Sequence, residues 1–337
     1  MRTRLPRIRR RRRQSGFTLI ELMVSLVMFS FAIAGVLGIA VSLTVGYREQ
    51  RQAINAESAV RVPMDFMADA LRQASPAVPN SAVSAMIDAS GATCTDGAIH
   101  VTNSSTAPDR LDVIYASGAI VTTTRTVVTG TDTGVTVTDA SQLAENDYIV
   151  ISDTGHGVLY KIDTVNTGTG EITFTTLCSS PITGWTTDFP TGSIVVRAQH
   201  AEFYVDSVDN IPTLMMDPDG PQGSLAGEPL AEGVEDFQVA LGVDADNNFQ
   251  LATENATAAN ADEWVGNHAS DTAYAVGTGT VRAVRITIVA RASTPVEGTA
   301  STFARAAAED RAAGSADKYR RRVLRTTVEV RNVEASP

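Results

Sequence analysis

The feature that most constrains this chain is an apolar run near its amino terminus, from Phe17 to Val45, in which Glu21 is the only charged residue. About 20 apolar residues in a helix are enough to cross a bilayer, so this run is long enough to cross one and to project beyond it. Eight arginines precede the run, and basic residues beside a spanning helix stay on the cytoplasmic side. The sequence therefore predicts a membrane-spanning helix with a cytoplasmic amino terminus and with the rest of the chain outside the cytoplasm.

The run opens with a short motif that spans residues 16–21, GFTLIE in one-letter code. Together with the arginine-rich leader, this motif resembles the type IV prepilin signature. The resemblance implies that a prepilin peptidase cuts after Gly16 and that the new amino terminus, Phe17, is N-methylated. It also implies that Glu21 is an assembly carboxylate, paired with a cleaved amino-terminal amine of the same or a neighbouring subunit. A carboxylate within a bilayer is costly unless it is paired, which agrees with this role.

Two simpler interpretations of these residues stay open. In the first, Thr18 and Glu21 form a capping box, in which the side chains satisfy backbone amides at a helix start, and the helix dipole also favours the carboxylate. In the second, the segment is an uncleaved signal anchor. A cleavable secretory signal fits less well, because no small-residue cleavage motif follows the run.

Small residues recur every four positions within the apolar run. They are Ser30, Ala34, Gly38 and Ser42. A stripe of small side chains lets a second helix approach closely in a membrane. We therefore predict that this face packs against other helices.

Beyond the membrane run, an amphipathic continuation of the helix is predicted to end at residue 75, before two prolines. Its apolar residues follow spacings of four and three, which is typical of a helix that buries one face. They are Val60, Met64, Met67, Leu71 and Ala74. We expect this stripe to pack on a sheet.

The predicted fold class is α+β, with the long helix packed on an antiparallel sheet that carries β-rich insertions. The predicted parts are a cleaved leader (1–16), a transmembrane helix (17–46), its amphipathic continuation (47–75) and a β-rich head (76–337) with a candidate inserted β subdomain (119–192). Strands are predicted at 98–102, 110–116, 120–128, 148–152, 158–165, 171–176 and 194–206, and residues 166–170 read as a hairpin turn.

The carboxyl-terminal part carries a second resemblance, to minor pilins of the PilW type. The segments that carry it are 203–205, 211–214, 230–239, 281–291 and 320–332. This resemblance, after a prepilin-like start, implies a pilin-like fold. Within 281–291, alternate apolar residues predict one buried face, while Arg285 and Thr287 are predicted on the other, solvated face of a half-buried strand. The polar segments 244–280 and 292–318 are predicted to be surface loops.

Composition narrows the possible functions. The net charge is −11 and becomes −19 without the eight leader arginines, which argues against nucleic-acid binding by net charge. The two cysteines, Cys94 and Cys178, would lie outside the cytoplasm, where disulfides persist. We predict that they are bridged, and the alternative is two free cysteines.

The sequence indicates no catalytic site, no metal site and no cofactor. Its four histidines are far apart and form no metal-ligand motif. We interpret His200 and Glu202 as a solvated pair on one strand face. Residues 244–248 resemble the opening of a calcium loop but lack its required glycine, and residues 217–220 read as a β-turn.

The resulting prediction is a minor pilin, a non-enzymatic structural subunit that helps initiate or cap a type IV pilus. Its expected partners are the prepilin peptidase, other minor and major pilins and the inner membrane. Two alternatives are a minor pseudopilin of the J type in type II secretion and an adhesin at a pilus tip with an unknown surface ligand. A membrane-anchored enzyme is a weaker alternative, because no reacting residues can be named.

Overall fold

The computed structural model of this chain describes residues 17–75, 83–86, 94–129, 132–153, 157–176, 188–220, 225–244, 248, 250–251, 263–268, 271, 280–296 and 302–330. The chain divides into two compact units, one that ends at Arg51 and one that begins at Gln52.

The described residues form one long helix and seventeen strands. These elements are α1 (Leu19–Arg72), β1 (Val83–Met86), β2 (Cys94–Asp96), β3 (Ile99–Thr102), β4 (Arg110–Thr123), β5 (Gly134–Thr136), β6 (Tyr148–Ser152), β7 (Gly157–Asn166), β8 (Glu171–Thr176), β9 (Ile194–Val208), β10 (Ile211–Asp217), β11 (Glu228–Glu232), β12 (Val234–Asp244), β13 (Trp264–Val265), β14 (Thr280–Arg291), β15 (Phe303–Ala304), β16 (Ala316–Asp317) and β17 (Arg321–Glu329).

The amino-terminal part of α1 has the properties of a membrane-spanning segment. From Leu19 to Thr44 its mean hydropathy is 2.4, and none of its most apolar window is buried in protein. It is the one helical segment in the described part of the chain that is long and apolar enough to cross a membrane. Such a surface is expected to contact lipid or other helices, because soluble proteins rarely expose large apolar patches.

The part of α1 in the second unit buries one face against strands. All five residues of the predicted stripe, from Val60 to Ala74, are buried. They share a core with strand residues that include Leu111, Phe203 and Ile286. Burial of one such side chain contributes about 1.5–3 kcal/mol, so the stripe fixes this part of the helix on the sheets. The amphipathic pattern is thereby confirmed.

The helix ends at Arg72, before its expected end at residue 75. The Gln73 N–H bonds to the carbonyls of both Asp69 and Ala70, which tightens the last turn. Ser75 then adopts a φ of 59°, and its N–H donates to the Ile114 carbonyl at 2.9 Å. The chain therefore leaves the helix to join strand β4.

Strands β1 to β11 form one sheet of eleven strands. Its pairs are antiparallel except for β1 and β7, which are parallel. The long strand β9 lies at the centre and pairs with β4, β6 and β10. Its first half pairs with β6 and its second half with β10. The same strand therefore serves both the candidate inserted subdomain and the main sheet.

A second sheet has the strand order β13-β12-β14-β17, with every pair antiparallel. Its inner face carries Phe237, Val284 and Ile286, which belong to the same core as the helix stripe. Strands β15 and β16 form a separate two-stranded ribbon. This arrangement agrees with the predicted pilin-like α+β class.

A second apolar core lies between β5, β6, β7 and β8. Ile149, Ile162, Phe174 and Phe189 are among its fully or almost fully buried residues. This part of the chain is the one predicted as an inserted β subdomain. The predicted hairpin is present: the Gly170 N–H donates to the Asn166 carbonyl at 2.9 Å, and the Asn166 side chain accepts two further amides.

Two strand expectations differ from the structure. The predicted strands 110–116 and 120–128 are one strand, β4, which ends at Thr123 and changes register against β9 between Ala116 and Thr122. The face of β14 expected to be solvated is buried, because both Arg285 and Thr287 are almost fully enclosed.

Candidate functional site

The amino-terminal motif lies at the start of α1. Phe17 is exposed and precedes the helix. The Glu21 N–H donates to Thr18 Oγ1 at 3.3 Å, and the Thr18 hydroxyl donates to Glu21 Oε2 at 3.3 Å. These contacts are those of a helix cap, so the simpler interpretation describes part of the geometry. Gly16 lies outside the described residues.

The predicted packing stripe is exposed along its whole length. Ser30, Ala34, Gly38 and Ser42 are all exposed on the helix surface. The Ser30 hydroxyl donates to the Leu26 carbonyl at 2.8 Å and is satisfied within the helix. A side chain added at Gly38 would meet no atom within 4 Å. The stripe therefore offers a smooth surface that a second helix can approach.

A polar segment covers the outer face of the second sheet, opposite the helix. This covering segment consists of residues 302–320. It was predicted to be part of a surface loop, yet Arg305 and Asp310 within it are buried. The segment does lie at the surface, but the burial of these side chains was not predicted; the charged groups of the segment are matched by charges on the strands beneath it.

Asp236 on β12 is the centre of the first set of ion pairs. Its carboxylate is fully buried and accepts hydrogen bonds from Arg305 Nη1 and Arg311 Nη1. The Gln238 amide donates to the same carboxylate at 3.0 Å. A buried charge is stable only when it is paired and hydrogen-bonded, and here two guanidinium groups meet that need.

Glu309 of the covering segment is the centre of a second set. Arg285 Nη2 lies 2.5 Å from Glu309 Oε2, and the Thr287 hydroxyl donates to Oε1 at 2.6 Å. Arg325 on β17 pairs with the same carboxylate, and its Nη2 lies 3.1 Å from Glu309 Oε1. The covering segment thus links β14 and β17 through one buried glutamate.

Asp109 extends the polar network to the loop before β4. Its two carboxylate oxygens accept backbone N–H groups from Ser104 and Val239, each at 2.8 Å. Burial raises the pKa of Asp109 to about 8, although the hydrogen bonds from the Val239 and Ser104 amides lower it. Burial also raises the pKa of Asp310.

A second group of titratable residues lies on the large sheet, where the prediction of a solvated His200 and Glu202 pair was wrong. Both side chains are buried. Glu202 is ion-paired with Arg110, and His200 Nε2 lies 3.4 Å from Asp112 Oδ1. The turn at Gly220 packs so tightly on the imidazole that an added Cβ would lie 2.5 Å from its Nδ1. His200 therefore has no room for a substrate on that side.

The remaining predicted positions do not form a reactive site. Asp244 accepts from Arg282 Nε and from the Asn248 amide, so its carboxylate is already paired with a cation. The Asp219 amide donates to Asp217 at 3.2 Å, which is the geometry of an Asx turn. Within the described ranges, no three His, Cys, Asp or Glu side chains are grouped so that they could hold a metal ion.

The disulfide prediction falls partly outside the described residues. Cys94 begins strand β2, and Cys178 lies in the range 177–187, outside the described residues. The pairing stays a prediction.

Comparison with known families gives two matches. Residues 11–37 match the family described as the prokaryotic N-terminal methylation motif, and residues 202–332 match the family described as Type IV Pilus-assembly protein W, or PilW. Residues 202–332 therefore form a PilW-family region, and residues 11–37 carry the methylation motif. No curated protein and no solved structure matches the chain significantly.

The PilW match places most of the buried network inside the family region. It begins in the second half of β9 and extends through β17, and it includes Asp236, Glu309 and Arg325. The candidate inserted subdomain precedes the match. With this match and the methylation motif, the chain is a minor pilin involved in type IV pilus assembly, and PilW pilins are structural, so the prediction of a non-enzymatic protein is confirmed. The methylation motif also implies processing by a prepilin peptidase, and pilus assembly implies other pilins as partners.

Sequence reasoning missed the ion pairs under the covering segment. Their signal was present, because Asp236 and Gln238 occupy alternate positions of one strand, as Arg285 and Thr287 do on the next. Two rows of polar residues on adjacent strands normally indicate a solvated face. Only the charges of residues 302–320 show that the face is covered.

Proposed function

We propose that this minor pilin is cut after Gly16, is N-methylated at Phe17 and stays in the inner membrane with a cytoplasmic amino terminus and a periplasmic head until it enters the pilus. The observation that carries this proposal is the exposed apolar segment Leu19–Thr44, most of which lies within the matched methylation motif at residues 11–37. The arginines before the helix support the orientation.

Mass spectrometry of the full chain, extracted from cells with an active prepilin peptidase, tests the processing step. The expected product begins with methylated Phe17 and lacks the first 16 residues. Recovery of the chain with its leader intact would overturn this part of the proposal. A Gly16→Val variant, whose cleavage site is blocked, provides the matched control for an unprocessed product.

Glu21 is proposed to act in assembly after cleavage. Its present partner, Thr18, is a weak one at 3.3 Å. The charged amine that cleavage creates can take the place of the Thr18 hydroxyl as the partner of the Glu21 carboxylate. Hydrogen bonds between charged groups are about twice as strong as neutral ones. The stripe of Ser30, Ala34 and Gly38 is proposed to pack against the helices of neighbouring pilins, since small residues allow close approach in a membrane.

Within the pilus, we place the subunit at initiation or in the tip complex. The support is the size of its head, which adds a second apolar core, centred on residues such as Ile149 and Phe174, to the main one. Immunogold labelling of sheared pili tests this position: gold at filament ends is expected, whereas regular labelling along the filament would contradict it.

A second candidate role, as a tip-displayed adhesin with an unknown surface ligand, is favoured by the same inserted core, because separate β modules often carry binding loops. Deletion of residues 119–192 should then abolish surface attachment while pili still form. Normal attachment by that deletion variant would exclude the adhesin role.

We propose partners other than nucleic acid, because the mature chain is acidic and would be repelled by the phosphate backbone. The proposed Cys94–Cys178 bridge is supported by the expected periplasmic location. Peptide mapping without reduction should recover the two peptides linked, and free thiols at both positions would contradict the bridge.

A further inference from the structure

Strand β17 is the longest exposed edge of the second sheet. It spans nine residues and pairs with β14 through nine consecutive residue pairs, without a register shift. Among the described residues, no strand pairs with its other side. An edge of this kind is a template for a strand from another chain, and at about 3.4 Å per residue it is roughly 30 Å long.

The direction of the open hydrogen-bonding groups follows from the register. The Val330 N–H donates to the Arg282 carbonyl, and the Arg320 carbonyl accepts from Ala292, so the even-numbered residues of this strand face β14. Backbone groups alternate in direction along an antiparallel strand. The N–H and C=O groups of the odd-numbered residues therefore point away from the sheet. These residues are Val323, Arg325, Thr327 and Glu329.

These outward groups have no hydrogen-bond partner among the described residues. Their side chains are exposed, and Val323, at 47% exposure, is a large apolar residue in the middle of the edge. The edge therefore combines open backbone groups with an apolar contact point, which is the arrangement used in β-strand addition.

Other described edges of the head are blunted or short. Strand β11, at one end of the large sheet, contains Pro229 and a register shift against β10. Strand β2, at the other end, has three residues, and β13, at the far edge of the second sheet, has two. Proline, bulges and short length are the usual protections against edge pairing. Strand β17 has none of these three protections, and its protection against pairing with a second copy is its charged side chains.

The arginines of β17 give this edge a positive charge, which favours an acidic partner. Residues 320–329 contain four arginines and one glutamate, in a chain whose net charge is −11. Arg322 is exposed and has no ion pair in the described part of the chain. Arg325 shares Glu309 with Arg285, so that one carboxylate serves two guanidinium groups. The edge is therefore locally positive.

The same charges disfavour pairing between two copies. In a full antiparallel overlap of β17 with itself, Arg325 would lie opposite Arg325 of the other copy, and like charges placed directly opposite are destabilising. A strand with carboxylates opposite Arg322 and Arg325 would instead be attracted. Repulsion of one partner and attraction of another is how interfaces gain specificity.

We propose that β17 receives an extended, acidic segment of a different pilin subunit as an added antiparallel strand. This inference rests on the proposed assembly function and names the surface through which the head takes part in it. Val323 would pack against an apolar residue of the added strand, and Arg322 and Arg325 would each face a carboxylate.

Hydrogen–deuterium exchange on the full chain tests the proposal directly. The chain is purified in detergent alone and in complex with the other pilins of its pilus, and the peptide that covers β17 is compared. The outward amides of Val323, Arg325, Thr327 and Glu329 should exchange freely in the chain alone and slow by about a hundredfold or more in the complex, because paired amides exchange only through opening. Amides of β12 should be equally protected in both samples.

A proline substitution provides the matched variant. Thr327→Pro removes an outward N–H without removing a bond to β14, and edge strands tolerate proline at such positions. It should lower the co-purified acidic pilin by about tenfold or more, because it removes a hydrogen bond and adds a clash. Thr327→Ala keeps the N–H and should retain the pilin. Unchanged exchange in β12 confirms that the proline variant is folded.

Several outcomes would overturn the proposal. They are equal exchange of β17 in the chain alone and in the complex, protection that rises with the concentration of the chain alone, and equal retention of the pilin by both Thr327 variants. If Thr327→Pro does not fold, the exchange comparison on the unaltered chain still decides. A complex that forms without protection of β17 refutes this inference alone, whereas the absence of any complex refutes the proposed assembly function.

Discussion

Replacement of Asp236 by asparagine should loosen the covering segment and destabilise the head. The substitution keeps the size of the side chain but removes the negative charge that binds Arg305 and Arg311. Both guanidinium groups are mostly enclosed, with 8% and 16% of their side chains exposed. Two cations would then be left without their shared carboxylate in a site that excludes most water.

The expected loss follows from the burial of this group. Removal of one partner of a buried ion pair typically costs about 3–5 kcal/mol, because an uncompensated charge remains. For a head of this size, each kcal/mol lowers Tm by about 2–4 °C. We therefore expect the Tm of the Asp236→Asn variant, measured by circular dichroism on the full chain in detergent, to fall by about 10 °C.

The neighbouring glutamate provides the matched control. Glu235 is 25% exposed and shares Arg321 with Asp317, so that Arg321 keeps a carboxylate in Glu235→Gln. That variant should lose less stability than Asp236→Asn, because the buried Arg321 guanidinium keeps the Asp317 carboxylate as a partner. The contrast separates burial of the charge from the chemistry of the substitution.

Limited trypsin digestion gives a local readout for the same pair of variants. Trypsin cuts after arginine, and Arg305 and Arg311 are protected while they bind Asp236. Cleavage at these two sites should rise in Asp236→Asn and stay at the unaltered level in Glu235→Gln. An Asp236→Asn chain with unchanged Tm and unchanged cleavage would refute the idea that these ion pairs hold the covering segment.

Two further predictions concern the core and pH. Leu71→Ala should cost about 2–5 kcal/mol because it leaves a cavity under the helix, whereas Val62→Ala, at an exposed helix position, should change stability by about 0.5 kcal/mol or less; equal Tm values for the two variants would contradict the packing of the helix. Asp109 has a folded-state pKa of about 8, above its value of 3.8 in an unfolded chain, so its stabilising contribution is complete below the unfolded value and is lost as pH rises through 8. The contribution of Asp109 should therefore fall by up to about 1.4 kcal/mol per pH unit between these values, so the Tm of the unaltered chain should fall with pH relative to that of Asp109→Asn, and a constant difference between the two Tm values would contradict the assignment.

Much of the fold follows from local patterns in the sequence. The stripe from Val60 to Ala74 predicts the buried helix face, because a period of 3.6 residues specifies which side chains point together. Strands with clear boundaries, such as β8 (Glu171–Thr176), match their predicted ranges. The hairpin at residues 166–170 is also local, since its asparagine and glycines determine the turn.

Features that depend on distant parts of the chain could not be predicted in this way. His200 was expected to be solvated, yet its burial depends on the turn at Gly220, which comes after β10. Arg285 was expected on a solvated face, yet Glu309 from the covering segment encloses it. In both cases the residue's own strand gives the correct face, but not what lies on that face.

The amino-terminal site shows a different limit. The resemblance of residues 16–21 to the prepilin signature predicts cleavage and methylation. The cost of a charge within the bilayer predicts that Glu21 needs a partner. In the chain before cleavage, Glu21 contacts only its local cap partner, Thr18, among the described residues. Its proposed partner is an amine that exists only after processing, so neither the sequence pattern nor the geometry of a single chain contains that pair.

The measurement that tests the central claim most directly uses Glu21→Gln in the native host. Glutamine preserves the capping geometry but cannot form an ion pair with a cleaved amine, a loss that typically costs a few kcal/mol where the charge is buried. Surface pili and co-purified pilins are measured, with expression and leader removal checked in parallel. We predict normal cleavage after Gly16 with a marked loss of both pili and co-purified pilins. Normal piliation and normal co-purification, in an assay where deletion of the gene abolishes both, would show that Glu21 is only a helix cap and would contradict the proposed assembly role.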